Sequence, residues 1–291
     1  MTKAKAAIIG SGNIGMDLMY KVLKNSHLEM SLLAGLSNDS PRLARARAMG
    51  IPTSDRGIEA IVENPDCCDI VFDATTAKAH AEHAKVLKKL GKKAIDLTPA
   101  GVGAWVVPAF NLEENLDRDN INLISCGGQA VIPIIGAIQK VVPVEYAEAV
   151  AANSSKSVGP GTRANIDEYT QHTREGMMKV GGVKSAKAVI VINPADPPIV
   201  MHNTIFCVTE KLDEELAREI TASIEDMLTI IQSYVPGYRL TAPPQFAFDR
   251  RQVTTMIEVE GAGDYLPDYA GNLDIITQAA VHVAAEMAKR A

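Results

Sequence analysis

Gly10-Ser11-Gly12-Asn13-Ile14-Gly15 is the stretch on which the predicted fold depends. The short apolar run at residues 6–9 precedes it, and residues 16–24 follow with the pattern of an amphipathic helix. In such a strand–turn–helix context, the glycines of a G-x-G-x-x-G permit a tight turn and the close approach of a pyrophosphate. The helix N-terminus supplies backbone N–H groups that hold phosphates. The stretch therefore predicts a dinucleotide-binding βαβ unit.

The end of the next predicted strand, residues 30–36, bears on the choice of coenzyme. NAD-binding units commonly place an acidic residue there, because its carboxylate bonds the ribose hydroxyls. This chain has Ser37 and Asn38 at the turn and no acid before Asp39. Arg42 follows closely and could pair with a 2′-phosphate. The residues themselves leave both NAD and NADP open.

The alternation of strands and helices divides the chain into two parts. It continues up to about residue 130, which predicts an α/β fold with a doubly wound parallel sheet. Longer strand patterns with fewer intervening helices follow, at residues 144–152, 186–193, 199–208 and 252–260. We therefore predict a Rossmann domain over residues 1–130 and a mixed-sheet substrate and dimerisation domain over residues 131–272. The alanine-rich helix at residues 273–291 is expected to pack back on the first domain.

Composition and charge exclude several classes of protein. The 291 residues are 47% hydrophobic and 22% charged, with a formal net charge of −6, and no basic stripe points to a nucleic-acid partner. Apolar runs such as residues 188–192 are too short to span a bilayer, and residues 1–5 lack the pattern of a signal peptide. Four cysteines in a chain of this length make no disulfide framework, so we expect a cytoplasmic protein.

Cys126 is the candidate nucleophile because of its setting in Ser125-Cys126-Gly127-Gly128-Gln129, between a predicted strand and a predicted helix. The unpaired N–H groups and the positive end of a helix favour a thiolate, which predicts a lowered pKa for this cysteine. The N–H groups of Cys126 and Gly127 are the expected donors to an oxyanion. The alternative is a small buried cysteine in a glycine turn.

Other titratable residues show weaker patterns. Cys67 and Cys68 are adjacent and lack metal-ligand spacing, so we interpret both as structural. His80 and His83 are i, i+3 neighbours on a predicted helix and are expected to face solvent, with no metal site. His202 is the nearest candidate for a general base in the sequence, although a structural role is favoured.

Several segments, in order along nearly the whole chain, resemble those of acylating acetaldehyde dehydrogenases. They are Gly10 to Gly15, Asp96-Leu97-Thr98-Pro99-Ala100, Cys126 to Ala130, Ser157 to Asn165, Asn193-Pro194-Ala195, Tyr234 to Tyr238 and Tyr265 to Asp274. The resemblance implies a fold like that of glyceraldehyde-3-phosphate dehydrogenase. It also implies oxidation of acetaldehyde, or of another short aldehyde such as propanal, to the acyl-CoA, with NAD as the preferred coenzyme and coenzyme A as co-substrate.

The resemblance assigns roles to individual residues. It implies that Cys126 forms the acyl-thioester. It implies coenzyme contacts from Ser11, Gly12, Asn13, Ile14, Ser157, Val158, Gly159, Pro160, Gly161, Thr162, Arg163, Ala164, Asn165 and Asn272. The family works beside a 4-hydroxy-2-oxovalerate aldolase in aromatic-compound breakdown, which makes that aldolase a candidate partner in addition to a homodimer. From composition alone, the loop at residues 154–165 suits a ligand-binding loop and a plain surface loop equally.

Three departures from the family pattern, and two competing functions, stay open. Val131 replaces a threonine, Asn203 stands where relatives carry an aspartate, and the segment between Arg239 and Val259 is shorter. The Asn203 change puts a carboxylate base at that position in doubt. The competing functions are a semialdehyde or acyl-phosphate dehydrogenase on the same fold, and a redox-sensing nucleotide-binding protein without turnover.

Overall fold

A computed structural model of the protein describes residues 3–159, 162–163 and 166–290. A parallel sheet forms the first part of the molecule. Its strands are β1 (Ala4–Ile9), β2 (Leu28–Ala34), β3 (Thr53–Ser54), β4 (Ile70–Asp73), β5 (Lys93–Asp96), β6 (Ala104–Trp105) and β7 (Asn120–Asn122). The spatial order is β3-β2-β1-β4-β5-β7-β6, and every neighbouring pair is parallel. The doubly wound sheet predicted from the alternating pattern is confirmed.

Helices connect these strands, and local capping sets where two of them begin. They are α1 (Asn13–Lys24), α2 (Pro41–Ala48), α3 (Glu59–Glu63), α4 (Ala77–Lys89) and α5 (Pro108–Asn111). Ser40 caps α2 and is followed by a proline at the first helical position, where a missing N–H costs nothing. The Thr76 hydroxyl accepts from the Ala79 N–H and caps α4 in the same way.

A mixed sheet forms the second part. Its strands are β8 (Val144–Ser154), β9 (Ser185–Asn193), β10 (Met201–Thr209), β11 (Tyr238–Leu240), β12 (Gln245–Ala247) and β13 (Gln252–Val259). The order is β11-β13-β10-β8-β9, with β12 paired to β13; β8 and β9 are parallel, and the other pairs are antiparallel. The helices of this part are α6 (Cys126–Val141), α7 (Ile166–Lys179), α8 (Glu214–Gln232) and α9 (Gly271–Arg290).

Helices cover one face of the mixed sheet with apolar side chains. On β10 the buried side chains alternate with half-exposed ones, as expected for a strand with one face in the core. The apolar side chains of α8 that recur at helical spacing are buried: Leu216, Ile220, Ile224, Met227 and Ile231. Among the helices of the described ranges, none is long and apolar enough to cross a membrane.

The C-terminal helix α9 joins the two apolar cores. It packs against both α1 and α6. Ile276 and Ala280 belong to the core of the parallel sheet, while Ile275 and Ala279 belong to the core of the mixed sheet. Ala130 lies within α6, so the division of the chain at residue 130 stays a prediction.

Candidate active site

The glycine-rich turn before α1 lies where the order of the parallel strands reverses, at the carboxyl ends of the neighbouring strands β1 and β4. In open parallel sheets, ligands bind in a crevice at such a reversal. Gly10 has a φ of +110°, and a Cβ built on it would lie 2.6 Å from the Ala74 carbonyl oxygen. Gly12 is different, because no described atom lies within 4 Å of a Cβ built on it. The N-terminus of α1 is therefore open at the position where a pyrophosphate fits.

A positive charge is held at the corner of this turn. The guanidinium of Arg42 donates to Asn13 Oδ1 at 2.8 Å, at the first residue of α1. Asn38 is engaged by another arginine, since Arg47 Nη1 donates to its Oδ1 at 2.8 Å. Asp39 is exposed. The residues at this turn suit both a ribose hydroxyl and a 2′-phosphate, so the choice between NAD and NADP stays a prediction.

The expected solvent-facing position of His80 and His83 is wrong. His80 is fully buried, and Nδ1 of each imidazole contacts Asp73 Oδ2, at 2.9 Å from His80 and 2.8 Å from His83. The buried Asp73 carboxylate needs these partners, and hydrogen bonds from His80, His83 and Thr75 outweigh burial to hold its pKa well below the usual range. The sequence shows the spacing of the two histidines on the helix, but it does not show that Asp73, at the end of β4, lies next to them.

Asp96, the next carboxylate along the sheet edge, has a raised pKa, whereas that of Asp73 is lowered. Burial raises the pKa of Asp96, at the end of β5, to about 6, although His80, Thr98 and Asn122 lower it. Asn122 Nδ2 donates to Asp96 Oδ2 at 2.6 Å and to the Thr98 carbonyl oxygen at 3.0 Å. These bonds fix the Asn122 amide at the end of β7, directly before the turn that carries Cys126.

The turn that carries Cys126 is strained and capped. Ile124 has a φ of +66°, in the left-handed region that β-branched residues rarely adopt. Its N–H donates to Asn122 Oδ1 at 2.9 Å, which holds this conformation. Ser125 is the N-cap of α6, and its Oγ accepts from the Gly128 N–H at 2.9 Å. Cys126 is therefore the first residue of α6, as the strand–turn–helix pattern indicates.

The environment of the Cys126 thiol differs from the prediction. Burial raises its pKa, against the lowering effects of the Tyr169 hydroxyl and of the backbone N–H groups of Gly127 and Cys126. The predicted lowering by the helix end is present but is outweighed by desolvation. Tyr169 OH lies 3.7 Å from Cys126 Sγ. The side chain of Cys126 is half-buried and packs against both apolar cores.

Ser157, in the second segment that is predicted to contact the coenzyme, lies beside Asn272 at the start of α9. Asn272 Nδ2 donates to the Ser157 carbonyl oxygen at 3.3 Å, and both residues are buried. Arg163 folds back on its own loop, donating to the carbonyl oxygens of Val158 at 3.0 Å and Ser155 at 2.7 Å. Thr162 and Arg163 are helical, and the Arg163 N–H donates to the Gly159 carbonyl oxygen at 3.1 Å. Pro160, Gly161, Ala164 and Asn165 lie outside the described residues.

The remaining cysteines and His202 have structural surroundings. Cys68 and Cys207 are buried, and burial raises the pKa of each to about 12. His202 lies on an exposed strand position, where its Nε2 is 3.1 Å from Glu258 Oε2. Among the described residues, none of these side chains is a hydrogen-bond partner of Cys126 Sγ, which bonds the Tyr169 hydroxyl.

Close relatives cover almost the entire chain. An acetaldehyde dehydrogenase from Desulfitobacterium hafniense is 54% identical over 288 residues, which is 99% of this chain and 96% of that protein. Acetaldehyde dehydrogenases from Geobacillus stearothermophilus and Thermus thermophilus are also 54% identical, over 99% and 97% of this chain and 97% and 93% of their own lengths. The chain belongs to the acetaldehyde dehydrogenase family.

Two family models divide the sequence of this acetaldehyde dehydrogenase family member. Residues 5–115 match the NAD-binding domain of semialdehyde dehydrogenases, and residues 126–267 match the dimerisation domain of prokaryotic acetaldehyde dehydrogenases. The chain is thus an oxidoreductase with an NAD-binding domain. A solved structure of aspartate semialdehyde dehydrogenase II from Vibrio cholerae, complexed with ASA, shares the fold with a TM-score of 0.66 over 99% of each chain at 14% identity.

Sequence reasoning missed several polar residues of this acetaldehyde dehydrogenase family member. Asn153 is buried on β8, and its amide has no hydrogen-bond partner within the described ranges. Asn203, noted above as a departure from the family pattern, is buried on the neighbouring strand β10 and likewise has no partner among the described residues. Tyr169 and Thr173 reach the turn before α6 from α7. No local pattern signals these contacts, because each joins segments that are far apart in the chain.

Proposed function

We propose that this protein oxidises acetaldehyde, or another short aldehyde, to the acyl-CoA through a thioester on Cys126. The observation that carries the proposal is the position of Cys126. It is a half-buried thiol at the N-terminus of α6, and it packs against the cores of both sheets. The names of the relatives support the aldehyde.

The chain's own groups suit the first chemical steps. The Cys126 thiolate attacks the carbonyl carbon, and the electron pair of the C=O bond moves onto oxygen. Backbone N–H groups at the start of α6 are the donors nearest to this oxygen, as in other oxyanion sites. Because burial raises the pKa of Cys126, loss of its proton to water is part of the cost of reaction.

NAD fits the residues at the sheet edge and, when bound, would supply the hydride acceptor. The tetrahedral adduct on Cys126 then loses its C–H hydrogen as hydride, the oxyanion electron pair re-forms the C=O bond, and a thioester remains on Cys126. The open space at Gly12 and the N-terminus of α1 suit the pyrophosphate. We assign Ser11, Gly12, Asn13 and Ile14 to this end of the coenzyme. Asn272 and the loop from Ser157 to Asn165 are assigned to the end near Cys126.

The fate of the thioester decides the product. Attack by the thiolate of coenzyme A breaks the bond between the acyl carbon and Cys126 Sγ and regenerates the enzyme thiolate. Attack by water at the same carbon gives the free acid. The half-buried position of Cys126, between two apolar cores, limits water and favours the thiol.

The test is coenzyme reduction with acetaldehyde, in the presence and absence of coenzyme A. We expect continuous reduction of NAD only with coenzyme A. Without it, reduction stops near one equivalent per subunit, and peptide mass spectrometry after acid quenching finds an acyl group on Cys126. Continuous turnover with phosphate instead of coenzyme A would assign the acyl-phosphate reaction. If acetaldehyde caused no reduction of NAD at all, the hypothesis of a redox-sensing nucleotide-binding protein would be favoured.

We also propose a homodimer formed through the second part of the chain. The match of residues 126–267 to a dimerisation domain supports this assembly. The face of the mixed sheet away from the helices carries half-exposed apolar side chains, among them Val150, Phe206 and Met256. Light scattering should give twice the chain mass of 31.1 kDa. A monomer at micromolar concentration would contradict the proposal.

An aldolase that delivers the aldehyde through a tunnel is a further proposal, supported by the family resemblance alone. The resemblance implies that Asn165 and Ile166 lie near the end of this tunnel, and Ile166, the first residue of α7, is 36% exposed. Asn165 lies outside the described residues. Co-expression with an aldolase followed by size-exclusion chromatography tests the assembly, and separate elution would contradict a stable complex.

A further inference from the structure

We propose that Tyr169 is a further catalytic residue: in the thiol state Cys126 Sγ donates to the Tyr169 hydroxyl at 3.7 Å, and after loss of the thiol proton the hydroxyl donates to the sulfur and stabilises the thiolate. The proposal rests on the proposed role of Cys126 as the nucleophile. It assigns a side-chain donor to a turn for which the sequence indicated backbone donors only.

The position of the hydroxyl is the first support. Tyr169 lies in the first turn of α7 and is 8% exposed, and its OH is 3.7 Å from Cys126 Sγ. A Cβ built on Gly127 would stand 2.3 Å from the same hydroxyl oxygen. The hydroxyl therefore reaches the sulfur through the space that the missing side chain at Gly127 leaves.

A chain of hydroxyl groups holds the two residues together, which is the second support. Thr173 Oγ1 donates to the Tyr169 carbonyl oxygen at 2.8 Å and is 2.7 Å from Ser125 Oγ. Ser125 Oγ in turn caps α6 through the Gly128 N–H. The helix that carries the tyrosine is thus bonded to the turn that carries the cysteine, so the separation of OH and Sγ is built into the fold.

The chemistry of the site is the third support. Among the described residues, the groups that favour a charged sulfur are this hydroxyl and the N–H groups of Cys126 and Gly127, while burial opposes the charge. Hydrogen bonds to ionised acceptors are about twice as strong as those between neutral groups. Burial and the neighbouring Cys126 raise the pKa of Tyr169 well above its usual value, so the phenol keeps its proton and acts as a donor. The thiol proton leaves to water.

The test is the pH dependence of Cys126 alkylation by iodoacetamide, which needs no aldehyde turnover. Rates are measured between about pH 6 and about pH 10, and peptide mass spectrometry assigns the site, because only the thiolate reacts. We expect Tyr169→Phe to raise the midpoint for Cys126 by about one pH unit, which lowers the rate at neutral pH about tenfold. The high-pH rate stays the same, since the ring still fills its place.

Controls separate this effect from a change of fold and from the proposed function. Tyr146→Phe removes a hydroxyl that bonds Glu148 at 2.7 Å, and it should leave the midpoint unchanged. Labelling of the fully buried Cys207 reports any opening of the fold. Should Tyr169→Phe open it, Tyr169→3-fluorotyrosine keeps the shape with a stronger donor and should lower the midpoint. An unchanged midpoint in either folded variant overturns the proposal, whatever the aldehyde assays show.

Discussion

Two strand–turn–helix units in this protein begin alike and end in different environments. The turn before α1 leaves the space above Gly12 open. The turn before α6 is covered, because Tyr169 lies over Gly127 and a Cβ on Gly128 would stand 2.9 Å from Ile124 Cγ2. Both helices offer unpaired N–H groups at their N-termini. Open space suits an exchangeable phosphate ligand, and a covered turn suits a thiol whose charge the protein regulates.

Helices α1 and α6 also differ in the contacts that hold them against the rest of the protein. Helix α6 is apolar almost all round and is buried in the core of the mixed sheet from Gly127 to Ile138. Helix α1 carries Lys21, which is buried among carboxylates: Asp17 and Asp274 at 2.7 Å and Asp264 at 3.0 Å. Burial opposes the charge, but Asp274 and Asp17 outweigh it and raise the pKa of Lys21. A buried charge cluster therefore joins α1 to α9 in addition to their apolar packing, whereas apolar packing holds α6.

Removing the thiol from the covered turn should have the largest effect. Cys126→Ala is expected to lower kcat about a thousandfold or more while coenzyme affinity stays nearly the same, because the nucleophile is lost and the open turn is untouched. Steady-state kinetics and coenzyme titration measure the two effects. Cys67→Ala, at a half-buried cysteine of the other domain, is the control and should retain most activity. A tenth of the activity in Cys126→Ala would contradict the covalent mechanism.

Removing the buried charge of Lys21 tests how strongly its carboxylate partners hold α1, the helix that follows the open turn. Lys21→Met leaves Asp17 and Asp274 without their buried partner, and we expect the free energy of unfolding to fall by about 3–5 kcal/mol. Lys24→Met is the matched control, since Lys24 is largely exposed and its pair with Asp264 contributes about 1 kcal/mol at most. Urea unfolding measures both. Equal losses for the two variants would show that the buried cluster is not special.

Adding one methyl group to each turn compares them directly. Gly127→Ala places a Cβ against Tyr169 and should destabilise the fold by about 1–3 kcal/mol. Gly12→Ala meets no described atom, so its thermal midpoint should barely move, while KM for the coenzyme rises about tenfold through contact with the pyrophosphate. Thermal unfolding and coenzyme kinetics separate the effects. A stability loss in Gly12→Ala would mean that the first turn is covered as well.

Changing the residues next to the open turn, at Ser37 and Asn38, should have the smallest effect, and it concerns the choice of coenzyme. We expect NAD as the working coenzyme with kcat/KM above that for NADP by less than about 100-fold, because Ser37 and Asn38 carry no charge and Arg42 is held nearby. Ser37→Asp should raise this ratio about tenfold by repelling a 2′-phosphate. Kinetics with both coenzymes test it. A wild-type ratio above about a thousand would show that Asp39 already acts as the discriminating carboxylate.

Much of the fold and of the site was predictable where neighbours in sequence decide the structure. The glycine fingerprint predicts β1, the turn and α1, and the glycines after Cys126 predict a turn into a helix; both units are present. The pKa of Cys126 and the position of His80 were predicted wrongly. In both cases the decisive factor is burial, which depends on residues from other elements and leaves no mark in the local pattern.

The sequence by itself determined the alternation of strands and helices in the first part of the chain, the glycine turn before α1 and the cysteine at the start of α6. These follow from φ preferences, hydrophobic period and capping, which act over a few residues. Only the tertiary structure brought Tyr169 to Cys126 and Lys21 to Asp274, across 43 and 253 positions of the chain. Such pairs form because packing excludes water from both partners together, and desolvation then sets which of them carries a charge.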